Sequence, residues 1–169
     1  MLAWFGLDET APPGAADRML AALAADLAQA GWRLAGAVQH NLDHGADCAC
    51  DMELVLLAEP EAPPIRISQS LGTLSSGCRL DSGALQMAAG RVAARLDGAE
   101  LLILPKFGQQ EAHGRGFREV IGAALLRDLP VLLHVPRQQR AAFAEFAGDL
   151  AQEVPAAALA GWVRAQRAA

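Results

Sequence analysis

Lysine occurs once in this chain, at position 106, and cysteine occurs three times in 169 residues. A formal net charge of −5 and a pI near 5.3 leave no basic surplus with which to attract nucleic acid or an anionic membrane broadly. Neither is therefore expected as a partner, and any cation that matters must be concentrated in a pocket. The odd cysteine count argues against a disulfide framework and for free thiols or metal ligands. Apolar runs are short, because Asp, Arg or Gly interrupts the alanine and leucine stretches before they reach the length of a membrane span. The first residues, LAWFGLDE, lack a basic region and meet acids early, which reads as a first strand and not as a secretory signal. A reduced, cytoplasmic protein is expected. No G-x-S-x-G elbow occurs, so serine-hydrolase chemistry of that type is set aside.

What is present is a globular composition, 53% hydrophobic and 20% charged with a mean hydropathy of +0.20. The length suits one domain covering residues 1–169. Short apolar runs at 2–6, 33–39, 52–58, 65–68, 101–105 and 131–135 alternate with helical patterns near 15–30, 82–97, 116–127, 137–150 and 155–167. Asp81 and Ser82 stand where a helix cap belongs. Leu159, Trp162 and Val163 share one side of the last helix and should dock it on the core. The alternation predicts an α/β fold: a three-layer sandwich around a mostly parallel sheet, with a small β-hairpin insertion at 52–68 turned through EPEAPP. In such sheets ligands bind beyond the carboxyl ends of the strands, which directs attention to the loops after residues 6, 40, 68, 105 and 135.

The first of these, LDETAPPGAADRML, precedes a helix, as the phosphate loop of P-loop NTPases does. That loop needs G-x-x-x-x-G-K-[ST], for amides facing phosphate, a neutralising lysine and a metal-holding hydroxyl. Here Ala11 and Ala16 fall on the glycines, Asp17 on the lysine and Arg18 on the hydroxyl. A carboxylate ~4 Å from a phosphate repels it by roughly 4 kcal/mol at an intermediate dielectric. The segment therefore reads either as a plain Pro-Pro-Gly turn with Asp17 at a helix N-terminus, or as a site where Arg18 replaces the lysine.

The PPG turn, the stretch GCRLDSGALQMAAGRVAARLDGAELLILPKFGQQE and the following PVLLHV resemble the small nucleoside-triphosphatase family of thermophiles and archaea. In that family a strand ends in two metal-associated acids; PKFGQQE has Pro105 and Lys106 there, and Glu111 alone matches. The segments CDM, RISQSLG, GCRLD and KFG..EA.GRGF resemble more closely an uncharacterised bacterial family of domains of unknown function that is itself similar to nucleoside triphosphatases. The resemblance implies a P-loop-NTPase-like fold with a degenerate phosphate loop, and no established activity. Loss of the lysine, the hydroxyl and the acidic pair removes the principal electrostatic supports of metal-assisted phosphoryl transfer.

A replacement anion site is expected in two loops. Residues 66–83 gather Ser70, Thr73, Ser75, Ser76, Gly77 and Arg79, whose hydroxyls, amides and guanidinium suit an oxyanion. Residues 105–118 place Lys106 directly after a buried strand, with Arg115 and Arg118 following. A pocket for phosphate, a nucleotide or a metal oxyanion such as molybdate would result, with Glu111 positioning Lys106 or a water. Two alternatives stand: an atypical nucleoside triphosphatase or phosphatase using Arg18 and Glu111, and a metal site made by Cys48, Cys50 and Cys78 near His40 and His44. His134, flanked by apolar residues in VLLHV, reads as a strand histidine.

Overall fold

The computed structural model describes residues 1–42, 51–69 and 80–168. Among them, seven strands form one sheet: β1 (Leu2–Phe5), β2 (Leu34–Leu42), β3 (Asp51–Leu56), β4 (Ile65–Arg66), β5 (Leu101–Leu104), β6 (Val131–His134) and β7 (Ala151–Glu153). Their spatial order is β4-β3-β2-β5-β6-β1-β7. The five strands β2, β5, β6, β1 and β7 run parallel, and β3 and β4 extend one edge antiparallel. This is the mostly parallel α/β sheet that the alternating pattern predicts, with the hairpin where it was expected.

Continuous apolar strands follow from burial on both faces. β5, with the sequence LLIL, is buried at all four positions. Leu102 and Leu104 join one core, with Leu85, Ala88 and Val92 of α2 (Ser82–Ala93), Val120 and Ile121 of α4 (Arg118–Leu125) and Phe143 of α5 (Arg140–Ala147). Leu101 and Ile103 join the other, with Leu20, Ala24 and Leu27 of α1 (Ala15–Gln29) and Leu159 and Val163 of α6 (Leu159–Ala168). The predicted docking side of the last helix is therefore buried. Close contact between β2 and β5 depends on Gly36, where φ is +108° and a Cβ would lie 1.9 Å from the Ile103 carbonyl oxygen.

Local signals set the helix starts. Asp81 caps α2 by accepting a hydrogen bond from the Ala84 amide at 2.9 Å, the role expected from Asp81 and Ser82. Gly14 precedes α1 in a left-handed conformation, φ 70°. Several elements differ from expectation, among them the last helix, which begins at Leu159 after a 3₁₀ turn at Ala156–Ala158. The helix read over 137–150 is a 3₁₀ turn at Arg137–Gln139, then α5, then a second 3₁₀ turn at Gly148–Leu150, and Ala151–Glu153 continues as the edge strand β7. An additional helical turn, α3 (Gln109–Ala112), follows β5.

The layering fixes where a crevice opens. The chain leaves β1 towards the face bearing α1 and leaves the adjacent β6 towards the opposite face bearing α5. Loops diverging from neighbouring parallel strands open a cleft at the carboxyl end of the sheet.

Candidate functional site

Lys106 reaches that cleft because its neighbours are tied down. Pro105 and Phe107 are buried on either side of it. The Phe107 amide donates to the His134 carbonyl at 2.9 Å, and its ring packs against Phe143 and Phe146 at centroid distances of 5.2 and 5.4 Å. Aromatic pairs of this kind add about 0.5–1.5 kcal/mol each beyond area burial. Glu111, 3% exposed, closes the loop: its carboxylate accepts from the Gly108 amide at 2.8 Å and the Phe117 amide at 2.9 Å. Gly116 makes room for it, since a Cβ there would lie 2.1 Å from Oε1. Glu111 thus holds backbone amides, whereas the sequence reading gave it Lys106 or a water to position. Arg118 donates to the Glu111 carbonyl at 3.2 Å and stacks 4.4 Å from the Phe146 centroid. Lys106 is the half-buried residue left between these anchors.

The cleft is a cavity of ≈ 330 Å³ between the loop after β1, the start of α1 and the loop after β6. Its lining includes Lys106, His134 and Arg137 together with Asp8, Glu9 and Asp17. Arg137 pairs with Glu9. Lys106 makes no ion pair among the described residues, although it lies near enough to Asp17 to stabilise that carboxylate through space. Asp17 Oδ2 accepts from Asn41 Nδ2 at 2.7 Å and from Gln39 Nε2 at 3.4 Å, and Gln39 also donates to Asn41 Oδ1 at 2.8 Å. Burial raises the Asp17 pKa, against the lowering by Asn41, Lys106, Arg18 and His40. The Asp17 carboxylate is thus held by two side-chain amides.

His134 stacks on Phe5 at 5.3 Å, and burial, with Lys106 and Arg140 nearby, pushes its pKa down to about 4. It is therefore neutral near pH 7, and Lys106 carries the positive charge of that lining with Arg137. The Arg140 guanidinium lies against Gly6, where a Cβ would fall 2.1 Å from Nη2, and 5.5 Å from the Trp4 centroid. Arg18 turns away: its Nη1 donates to the Pro13 carbonyl at 3.0 Å, bracing the Pro-Pro-Gly turn.

A second hollow of ≈ 180 Å³ adjoins Lys106 on the hairpin side and is lined chiefly by apolar residues, including Met52, Leu54, Ile67, Leu85 and Phe117. Lys106 borders both spaces. Arg115, expected beside it, is exposed and lines neither among the described residues. Ser70, Thr73, Ser75, Ser76, Gly77 and Arg79 lie outside the described residues, as do Cys48, Cys50 and Cys78. At the edge of that loop, Ser68 is buried, donating to Asp51 Oδ1 at 3.0 Å and accepting from the Met52 amide at 3.1 Å.

The sequence reading named Lys106 as a ligand residue and Asp17 only as a helix N-terminal acid, and did not name Gln39, Asn41 or Arg137, which the structure sets in or beside the cleft. Gln39 and Asn41 carried one legible signal: two amides spaced by two at the end of an apolar strand, hence on one face of it.

A mostly parallel sheet flanked by helices on both faces, with its cleft beyond the first strand, defines an α/β fold consistent with a P-loop-NTPase-like domain. The chain belongs to the family described as a protein of unknown function, DUF2478, whose model matches residues 9–162. It is also 36% identical over 135 residues to the molybdenum import ATP-binding protein ModC 2 of Bradyrhizobium diazoefficiens. That match covers 79% of this chain and only 15% of the relative's length. No solved structure matches the chain. No helix among the described residues is long and apolar enough to cross a membrane.

Proposed function

We propose that this chain binds a small anionic ligand (phosphate, a nucleotide or a metal oxyanion such as molybdate) in the cleft beyond β1, β5 and β6, with a phosphate loop that has lost its catalytic parts. The observation that carries the reading is Lys106: the only lysine of the chain, fixed between buried neighbours and facing a cavity without an ion-pair partner among the described residues. A half-buried ammonium with no direct ion pair, only a through-space carboxylate, is stabilised further when a ligand supplies an anion in contact with it. The relative's role in molybdenum import supports keeping metal oxyanions among the classes to test. Arg79 and the hydroxyls of Ser70, Thr73, Ser75 and Ser76 complete the proposed ligand shell on sequence grounds.

The phosphatase alternative has less support. Its two assigned residues are engaged elsewhere, Arg18 with the Pro13 carbonyl and Glu111 with two buried amides.

The test is a thermal-unfolding series with phosphate, sulfate, molybdate, tungstate and nucleotides, with and without Mg²⁺. A ligand bound only by the folded state raises stability by about 2.7 kcal/mol at 100 times its dissociation constant. The expected result is a rise with at least one anion that Lys106→Ala abolishes. No rise with any anion, or a rise that Lys106→Ala leaves intact, refutes the proposal.

A further inference from the structure

The cleft is not a simple positive pocket. Lys106 shares the lining with Asp8, Glu9 and Asp17, of which Glu9 alone has an ion pair among the described residues, with Arg137. Asp17 stands in the first turn of α1, where a phosphate-binding loop would present amides and a lysine. Asn41 and Gln39 donate to one of its oxygens, Oδ2, and among the described residues Oδ1 receives no hydrogen bond. Its charged surroundings are Arg18 on its own helix, His40 on β2 and Lys106 after β5. His134 is neutral, and Arg137 is held by Glu9.

An ionised carboxylate only accepts hydrogen bonds. Set beside an oxyanion that carries no proton, it offers repulsion alone. Beside an oxyanion that retains a proton, it accepts a short charge-assisted O–H···O⁻ bond while the lysine neutralises the remaining charge. Sulfate and molybdate carry no proton at neutral pH, whereas hydrogen phosphate and phosphate monoesters exchange one near neutrality, the monoesters at about pH 6.

We propose that Asp17 makes the cleft selective for a tetrahedral oxyanion bearing a proton, a phosphate or phosphate monoester, and against fully ionised sulfate and molybdate. The inference rests on the anion-binding reading and adds its specificity. One proton lies between Asp17 Oδ1 and a ligand oxygen, and Lys106 contacts the opposite side of the ligand. Asp17 is thus a specificity-determining residue and not merely a lost lysine.

The experiment is isothermal titration of the full chain with inorganic phosphate, methyl phosphate, sodium sulfate and sodium molybdate, in wild-type protein and in Asp17→Asn. At neutral pH wild type should bind phosphate at least ~10-fold more tightly than sulfate or molybdate, a tenfold ratio being about 1.4 kcal/mol. Asp17→Asn, which offers an amide donor in place of a carboxylate, should reduce that ratio to near unity. A second readout needs no variant. Methyl phosphate binding to wild type should weaken as pH rises through the ligand's second ionisation, whereas a site relying on lysine alone would bind the dianion more tightly. Equal wild-type affinities for phosphate and sulfate, a ratio unchanged in Asp17→Asn, or methyl phosphate binding that strengthens with pH would each overturn the selectivity while leaving anion binding intact. Absence of heat with all four salts would overturn both.

Discussion

Two carboxylates at opposite ends of the sheet show how this molecule treats charge. Glu100, just before β5, receives the Arg33 amide at 2.9 Å and Arg167 Nε at 3.0 Å, with Arg33 Nη1 at 3.5 Å. The Arg33 amide first, and then the Arg167 guanidinium, hold its pKa below the usual carboxylate range. Asp17, at the carboxyl end, has two neutral amides, and its pKa is raised by burial. The hollow beside Glu100 is the larger, ≈ 530 Å³ against ≈ 330 Å³. Volume is thus a poor guide here. At the amino end Arg167 lies over Trp32 at 4.7 Å and also bonds Glu100, so the carboxylate and the guanidinium satisfy each other within the chain. At the carboxyl end Lys106 acts on Asp17 only through space and makes no ion pair among the described residues, which leaves it available to an anion.

The comparison breaks most completely if the shared scaffold is removed. Gly36→Ala places a methyl group 1.9 Å from a backbone carbonyl of the paired strand, at a φ of +108°. Expression should give no folded protein, or a loss exceeding roughly 4 kcal/mol in denaturant unfolding. Next comes the frame of the carboxyl end alone. Glu111→Ala strands two buried amides and should cost about 2–5 kcal/mol, with Glu111→Gln less affected.

A pH series sharpens the contrast. The folded pKa of His134 is about 4 against an ordinary 6.5, so between those values the unfolded chain binds the extra proton. His134 therefore contributes stability that is present above pH ~6.5 and lost as pH falls towards ~4. The unfolding midpoint of wild type should drop across that window, and His134→Gln should flatten part of the drop. Asp17 has the opposite sign. Its raised pKa favours the folded state while the group is protonated and loses that contribution as pH rises through the folded value. The smallest effect belongs to the matched pole, where Glu100→Gln keeps an acceptor for the Arg33 amide and should lower the unfolding midpoint at neutral pH only slightly and leave anion binding unchanged, because ion pairs with exposed arginines contribute little.

Much of the fold was legible because burial on two faces produces runs such as LLIL and VLLHV that nothing else explains as simply. The edge strand β7, with the sequence AQE, was not: its three residues are half-buried or exposed and carry no period. Among candidate site residues, Lys106 was legible from its rarity and its place after a buried strand. The Asp17, Asn41 and Gln39 cluster joins positions more than twenty residues apart, and only the packing of α1 beside β2 brings them together. Glu111 matched a family position in sequence, yet its buried, doubly bonded carboxylate depends on the turn at Gly116 that brings the Phe117 amide back to it.

Because the chain has one lysine, lysine labelled with ¹³C at Cε gives a single side-chain resonance. Titrating that sample with inorganic phosphate at constant ionic strength reports on the ammonium itself. Anion binding in the cleft should give a saturable shift of the Lys106 signal that is absent from unfolded protein; a signal unmoved by phosphate, sulfate and molybdate alike would show that Lys106 holds no anion.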